Sequence, residues 1–181
     1  MDMWKVRVMK EHQEARKLTL PDGVVVPIRT IHPDDAPALR RLHSRLSGQS
    51  VRLRYFSSMK ELSDQKAKYF AEVDGINRYA LVALNPENQD EIIAVVRFSR
   101  EGCTDKAEYA ALVEDHWQGR GVGLSMTRQL INEARDRGVR YLYGLVMPEN
   151  QRMLKLLRSL DLPEHESRSG GSKYVEIKLV A

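Results

Sequence analysis

Apolar positions alternate with polar ones in some stretches of the chain and recur every three or four residues in others, and these two rhythms mark out its elements. "VVVPIRTI", Val24 to Ile31, is β-branched and interrupted by Pro27, which suits an edge strand or bulge better than a central strand. A helix begins in "HPDDAPALRRLHSRL". There Pro33 fits the first turn, Asp34 and Asp35 complement the positive end of the helix dipole, and Ala36, Leu39, His43 and Leu46 share one face. A second helical region is expected between Ser50 and Ala71. "RYALVALNPENQDEIIAVVRFSR" holds two apolar, β-rich runs around a polar turn from Asn85 to Asp90, which predicts an antiparallel hairpin.

"KAEYAALVE" reads as the next strand. A glycine-rich turn follows, then a helix to about Arg137 with Met126, Leu130, Ile131 and Ala134 on one broad face and Gly138 as its C-terminal stop. "RYLYGLVM" is a further strand. "PENQRMLKLLRSLDL" is a further helix, with Met153, Leu156, Leu157 and Leu160 at heptad-like spacing, and "SKYVEIKLV" alternates as a half-buried last strand should. Residues 1–20 lack a clear period and meet a "PDG" turn; they read as an arm or extra edge element beside one domain spanning residues 21–181. The element order predicts a mixed α/β (α+β) sandwich with the sheet as its spine.

Composition narrows this picture. With 181 residues the chain can build one ordinary core. Apolar residues at 42% and charged residues at 30% describe a soluble globular protein, and no apolar run approaches the roughly 18 to 20 residues that span a bilayer. "MDMWKVRVMK" has no secretory pattern, and the lone Cys103 cannot form an internal disulfide, so the chain reads as cytoplasmic. A net charge of +4 comes from 29 basic residues interleaved with 25 acidic ones. That balance favours phosphate-bearing ligands, but no Lys/Arg block interleaved with aromatics points to nucleic acid. His12, His32, His43 and His165 are scattered without ligand spacing, so no metal is expected.

The turn "QGRGVG" carries the sharpest signal. Backbone amides at a helix start lack intrahelical acceptors, and the helix dipole adds positive charge there. Gly119, Gly121 and Gly123 allow close approach, and Gln118 and Arg120 remain as donors, a description that a pyrophosphate fits. The plain alternative is a tight strand-to-helix connection. A P-loop is excluded because Leu124 follows Gly123 where Lys and Ser or Thr are needed, and the dinucleotide fingerprint needs a different glycine spacing.

"VEDHWQGRGVG" resembles the acetyl-CoA pyrophosphate motif of the GNAT superfamily of N-acetyltransferases, with Gln118, Gly121 and Gly123 in the motif's places. "PENQRML" resembles the superfamily's later cofactor-side motif, with Asn150 at the polar position, and the element order from Val24 to Val180 is similar too. "IRTIHPDDAPALRRLHSRLSGQSVRLRYFSS" and "AEYAALVEDHWQGRGVG" look like the branch of bacterial protein-lysine acetyltransferases that modify acyl-CoA synthetases. Members of that branch often carry a cyclic-nucleotide-binding module, for which this length is not expected to leave room.

The resemblance implies a GNAT fold and acetyl-CoA as co-substrate, bound by Leu112, Val113, Gln118, Gly119, Arg120, Gly121, Val122, Gly123, Leu124 and Asn150. It implies Glu108 as the base that deprotonates an amine, a backbone N–H near Val113 that polarises the thioester carbonyl, and main-chain pairing of Leu112 and Val113 with the pantetheine arm. Many relatives place a tyrosine acid seven residues past the Asn. Here that position is Leu157, and the helix ends in "DL" where Gly and an aromatic are common. His116 is a second candidate base, Trp117 a candidate shield of the cofactor, and Arg52 and Arg54 could meet an acidic partner or the cofactor; each reads equally as an ordinary surface residue. The expected acceptor is a protein lysine. A small-molecule amine and a catalytically silent acyl-CoA sensor remain as alternatives, and a C-terminal edge strand could pair two copies into a homodimer.

Overall fold

The computed structural model describes residues 16–100, 102 and 104–179. Residues 1–15 with His12, and likewise Cys103 and Val180, lie outside that set. Among the described residues eight strands form one sheet: β1 (Arg16–Thr19), β2 (Val25–Thr30), β3 (Arg78–Leu84), β4 (Ile92–Ser99), β5 (Lys106–Val113), β6 (Tyr141–Val146), β7 (Glu164–Ser169) and β8 (Ser172–Lys178). Their spatial order is β1-β2-β3-β4-β5-β6-β8-β7. All neighbours are antiparallel except β5 and β6, which run parallel.

Among the described residues five α-helices cover the two faces: α1 (Ala36–Ser44), α2 (Gly48–Tyr55), α3 (Asp64–Ala71), α4 (Val122–Asp136) and α5 (Gln151–Arg158). On one face Leu39 and Leu42 of α1 and Ala67 and Ala71 of α3 pack on Val82, Val95 and Leu112. On the other, Met126, Leu130 and Ile131 of α4 and Leu154 and Leu157 of α5 pack on Val96, Phe98 and Leu142. Coverage on both sides is why β3 and β4 are nearly continuous apolar runs rather than alternating ones. Burying each large side chain here stabilises the fold by roughly 1.5–3 kcal/mol. The stop after α4 is a Schellman turn: Gly138, at φ +76°, donates to Arg135 O at 2.9 Å and Val139 N to Ala134 O at 2.9 Å.

The structure corrects the sequence reading in several places. β2 is an interior strand, because β1 lies outside it, with Lys17 opposite Pro27. The Leu20 N–H donates to Val24 O, so the pairing alternation turns Pro27 away from β1, and the β3 ladder starts only at Ile28; the missing N–H therefore breaks no bond. The helical region from Ser50 to Ala71 is two helices. Phe56, at φ +58°, ends α2, and the Ser63 side chain caps α3 by accepting from Lys66 N. α5 stops at Arg158, and "EHESRS" forms β7, an outer strand too polar and exposed to show alternation. Asp161, in the "DL" pair, has φ +55°, a left-handed conformation that Gly adopts without strain and that Asp tolerates.

Candidate active site

β5 and β6 begin as neighbours and then part. They pair at Lys106↔Tyr141, Ala107↔Leu142 and Glu108↔Tyr143, while β5 follows β4 as far as Val113 and β6 follows β8 as far as Val146. The split opens a groove of about 1120 Å³. Gly144 sits where the strands diverge, and a Cβ there would lie 3.2 Å from Tyr109 O. Since Glu114 N donates to Ile93 O at 2.8 Å, strand alternation turns the N–H groups of Ala110 and Leu112 toward β4 and those of Ala111 and Val113 toward the groove. The groove-side main chain is therefore that of Ala111 and Val113, while Leu112 is bonded toward β4 and its side chain packs beneath α1 and α3.

Where the groove meets the start of α4, Gly119 at φ +76° and Gly121 at φ +90° carry the chain through left-handed turns that a side chain would strain. Gly123 serves packing instead: a Cβ there would lie 3.1 Å from Leu156 Cδ1 and 3.4 Å from Val113 Cγ2. No side chain caps α4, and its first backbone bond runs from Ser125 N to Gly121 O at 3.0 Å. The N–H groups from Gly119 to Leu124 have no acceptor among the described residues. With the helix dipole behind them, amides so placed suit an anion.

Side chains around this turn brace it. Gln118 Nε2 donates to Val113 O at 2.8 Å and to Ser50 Oγ at 3.1 Å, and Gln118 Oε1 accepts from Arg152. Asp115 accepts from Ser47 N (3.0 Å), Ser47 Oγ (2.7 Å) and Ser50 Oγ (2.8 Å), which ties the start of α2 to the turn. Burial alone would raise the Asp115 carboxyl, but those hydrogen bonds outweigh it and hold the group below its ordinary range. Below the turn the Tyr109 hydroxyl meets Thr127 Oγ1 at 2.7 Å, and Thr127 Oγ1 donates to Gly123 O at 2.7 Å. Burial pushes the Tyr109 phenol well above its usual range.

The expected ligand-binding residues divide between groove and scaffold. Glu108, Leu112, Val113, Gln118, Gly119, Gly121, Gly123, Leu124 and Asn150 line the groove, whereas the Arg120 and Val122 side chains do not. Arg120 pairs with Asp22 at 2.8 Å and lies 4.3 Å over the Trp117 ring, and Val122 is in the core. Asn150 Oδ1 accepts from Met153 N at 3.1 Å and so caps α5. His116 is exposed beside Trp117, and Leu157 is buried. Arg52 pairs with Glu149 at 2.9 Å.

Glu108 is the last residue of β5 that pairs with β6 and is solvent-exposed at the point where the groove opens. Around it stand groove residues that the sequence reading passed over: Arg97, Arg78, Tyr55, Tyr69 and Phe70, with Arg54 beside them. One signal was available, since Arg97 is a single charge inside the apolar run "IIAVVRFS". A charge half-buried in a strand calls for a reason.

Comparison with known proteins bears on this geometry. A family model described as "Acetyltransferase (GNAT) domain" matches residues 26–162. An acetyltransferase of Pseudomonas aeruginosa is 28% identical over 143 residues, 78% of this chain and 77% of that protein. The acetyltransferase Pat of Mycolicibacterium smegmatis is 32% identical over 139 residues, 74% of this chain but only 40% of that longer protein. Among solved structures, the GNAT domain of S. lividans PAT superposes with a TM-score of 0.84 at 30% identity, covering 91% of this chain and 96% of that one.

Proposed function

The chain belongs to the GNAT family of acetyltransferases, and from that premise we propose that it acetylates a protein lysine, with acetyl-CoA as donor and Glu108 as general base. The observation that carries this reading is the parting of β5 and β6, with unpaired turn amides where the groove meets α4 and Glu108 where it opens. The diphosphate of coenzyme A suits the N–H groups from Gly119 to Leu124, and the pantetheine arm suits the groove-side N–H groups of Ala111 and Val113, the Val113 carbonyl being taken by Gln118. The relatives named Pat support a protein acceptor.

Chemistry follows from those positions. The acceptor ammonium, pKa about 10.4 in water, gives one proton to Glu108 directly or through a water. Its lone pair then attacks the thioester carbon, forming the C–N bond. The oxygen that becomes negative is met by a groove-side backbone N–H near Val113, the one of Ala111 and Val113 that the pantetheine arm leaves free, a fixed donor that needs no reorganisation. Collapse breaks the C–S bond and expels a thiolate; a thiol of pKa about 8.5 leaves without a protein acid, in keeping with Leu157 where relatives have tyrosine. The second nitrogen proton passes to thiolate or solvent.

Leu157 is also the feature that favours the second reading, a non-catalytic acyl-CoA sensor. Incubation with acetyl-CoA and a panel of lysine-containing proteins separates the two, with thiol release followed and the acetyl group located by mass spectrometry. Transfer to lysine Nζ is expected. Saturable binding without thiol release for any acceptor leaves the sensor standing.

A further inference from the structure

One wall of the groove is built from cations that the fold leaves without counter-charge. Strand register sets Ser99 opposite Glu108 and Arg97 opposite Ala110, and across the other ladder Arg78 opposite Ser99 and Ala80 opposite Arg97. Side chains two apart on a strand share a face, so Arg78, Arg97 and Glu108 project from the same side of the sheet. The end of α2 brings Arg54 and Tyr55 to this wall, and α3 brings Lys66, Tyr69 and Phe70. The cations stack on rings rather than form ion pairs, and two of them also donate to a backbone carbonyl, Arg97 Nη1 to Phe70 O at 3.3 Å and Arg78 Nη2 to Tyr69 O. Arg97 lies 4.3 Å over Phe70, Arg78 3.9 Å over Tyr69 and Arg54 5.0 Å over Tyr55.

Among the described residues no carboxylate is at ion-pair distance from Arg54, Arg78 or Arg97, whereas Arg29, Arg52 and Arg120 each have one and Arg45 has two. Burial first, and then the neighbouring Arg54 charge, pushes the Arg97 guanidinium down to about 9. Of the other acids on the groove, Asp115 is taken by Ser47 and Ser50 and Glu149 by Arg52.

A bare ammonium entering beside these guanidinium groups meets repulsion that Glu108 alone must offset. An acceptor with a carboxylate next to its amine removes that repulsion, because Arg offers a planar fork that takes a carboxylate through two bonds. We propose that Arg97 and Arg54 form an acceptor subsite for a carboxylate, so that this protein selects lysines flanked by an acidic side chain. The proposal rests on the lysine-acceptor reading and deepens it.

Two synthetic peptides test it, identical except that one lysine is flanked by Glu in the first and by Gln in the second. Free lysine, which carries its own carboxylate, is the third acceptor. For the wild type, kcat/KM is expected to favour the Glu peptide by about tenfold or more, a preference that shrinks as salt rises. Arg97→Gln and, independently, Arg54→Gln are expected to bring the ratio close to one, with Arg97→Lys between; acetyl-CoA affinity reports folding. Equal kcat/KM for the two peptides in the wild type, or a ratio unchanged in both Gln variants, overturns the subsite. An Arg97-dependent preference for free lysine over both peptides overturns the peptide assignment and moves the carboxylate to a small amine. Where neither peptide is acetylated, their affinities for the CoA-saturated protein decide: tighter, Arg97-dependent binding of the Glu peptide keeps the subsite while the transfer reading falls, and equal affinities end both.

Discussion

Where the groove meets α4, the donors offered to a ligand are main-chain N–H groups, and the polar side chains nearby, Gln118, Asp115 and Arg120, are occupied within the protein. Around Glu108 the reverse holds. The main chain of Glu108 is bonded into the sheet, and the side chains of Arg54, Arg78 and Arg97 stack on rings with no carboxylate at ion-pair distance among the described residues, Arg78 and Arg97 each also donating to one backbone carbonyl, of Tyr69 and Phe70. The difference teaches how each region is specified. A main-chain site needs a conformation, which glycine spacing can enforce; a side-chain site needs particular residues carried together by elements far apart in the chain.

The largest expected effect falls on the second region. Glu108→Gln is expected to lower turnover by about 10² or more while acetyl-CoA affinity stays near wild type, measured by thiol release and calorimetry; full turnover in the variant removes Glu108 from the mechanism. Next comes the brace of the first region. Asp115→Ala removes an acceptor of three hydrogen bonds and is expected to cost about 1–3 kcal/mol in denaturant unfolding and to weaken acetyl-CoA, because the turn loses its tie to α2. The pH dependence has a definite sign. The folded Asp115 value is depressed, so its stabilisation is complete above the ordinary value of 3.8 and disappears as pH falls through the lower folded value. Acid unfolding of wild type and Asp115→Ala should therefore converge at low pH; a gap that persists there contradicts the assignment.

Thr127→Val leaves the buried Tyr109 hydroxyl without its partner and is expected to cost about 1 kcal/mol, read from the unfolding midpoint. The smallest effect is that of Arg120→Ala, whose ion pair with Asp22 is screened by solvent, so the unfolding midpoint is expected to stay near that of the wild type. A large loss of acetyl-CoA affinity in that variant would show that a side chain shares in gripping the diphosphate, and would blur the contrast between the two regions.

That contrast also explains what was legible beforehand. Gly119, Gly121 and Gly123 lie close together in one turn, so a strand-to-helix turn suited to an anion could be read from spacing, with a plain connection as its alternative, and Met126, Leu130, Ile131 and Ala134 betrayed the helix behind it. The parting of β5 and β6 left no mark on a single strand, because divergence belongs to a pair. Pro27 misled because its cost depends on which neighbour the missing N–H faces. β7 was hidden by exposure, which removes the alternation that betrays a half-buried strand. Arg54, Arg78 and Arg97 meet only after α2, β3 and β4 have packed; in the sequence they are separate charges among 29 basic residues.

The claim on which the rest depends is that the backbone of the glycine turn holds the acetyl donor. Its most direct measurement is a calorimetric titration of acetyl-CoA into the wild type and Gly121→Ala, where a side chain at φ +90° would be strained and would press on Pro21 Cδ at 3.2 Å. Saturable binding is expected of the wild type, and affinity lowered about tenfold in a folded Gly121→Ala, whose turn relaxes out of the left-handed region and must regain roughly 1–2 kcal/mol of strain to present its amides to the ligand. A wild type that never saturates, or a Gly121→Ala protein that binds as tightly as the wild type, would contradict it.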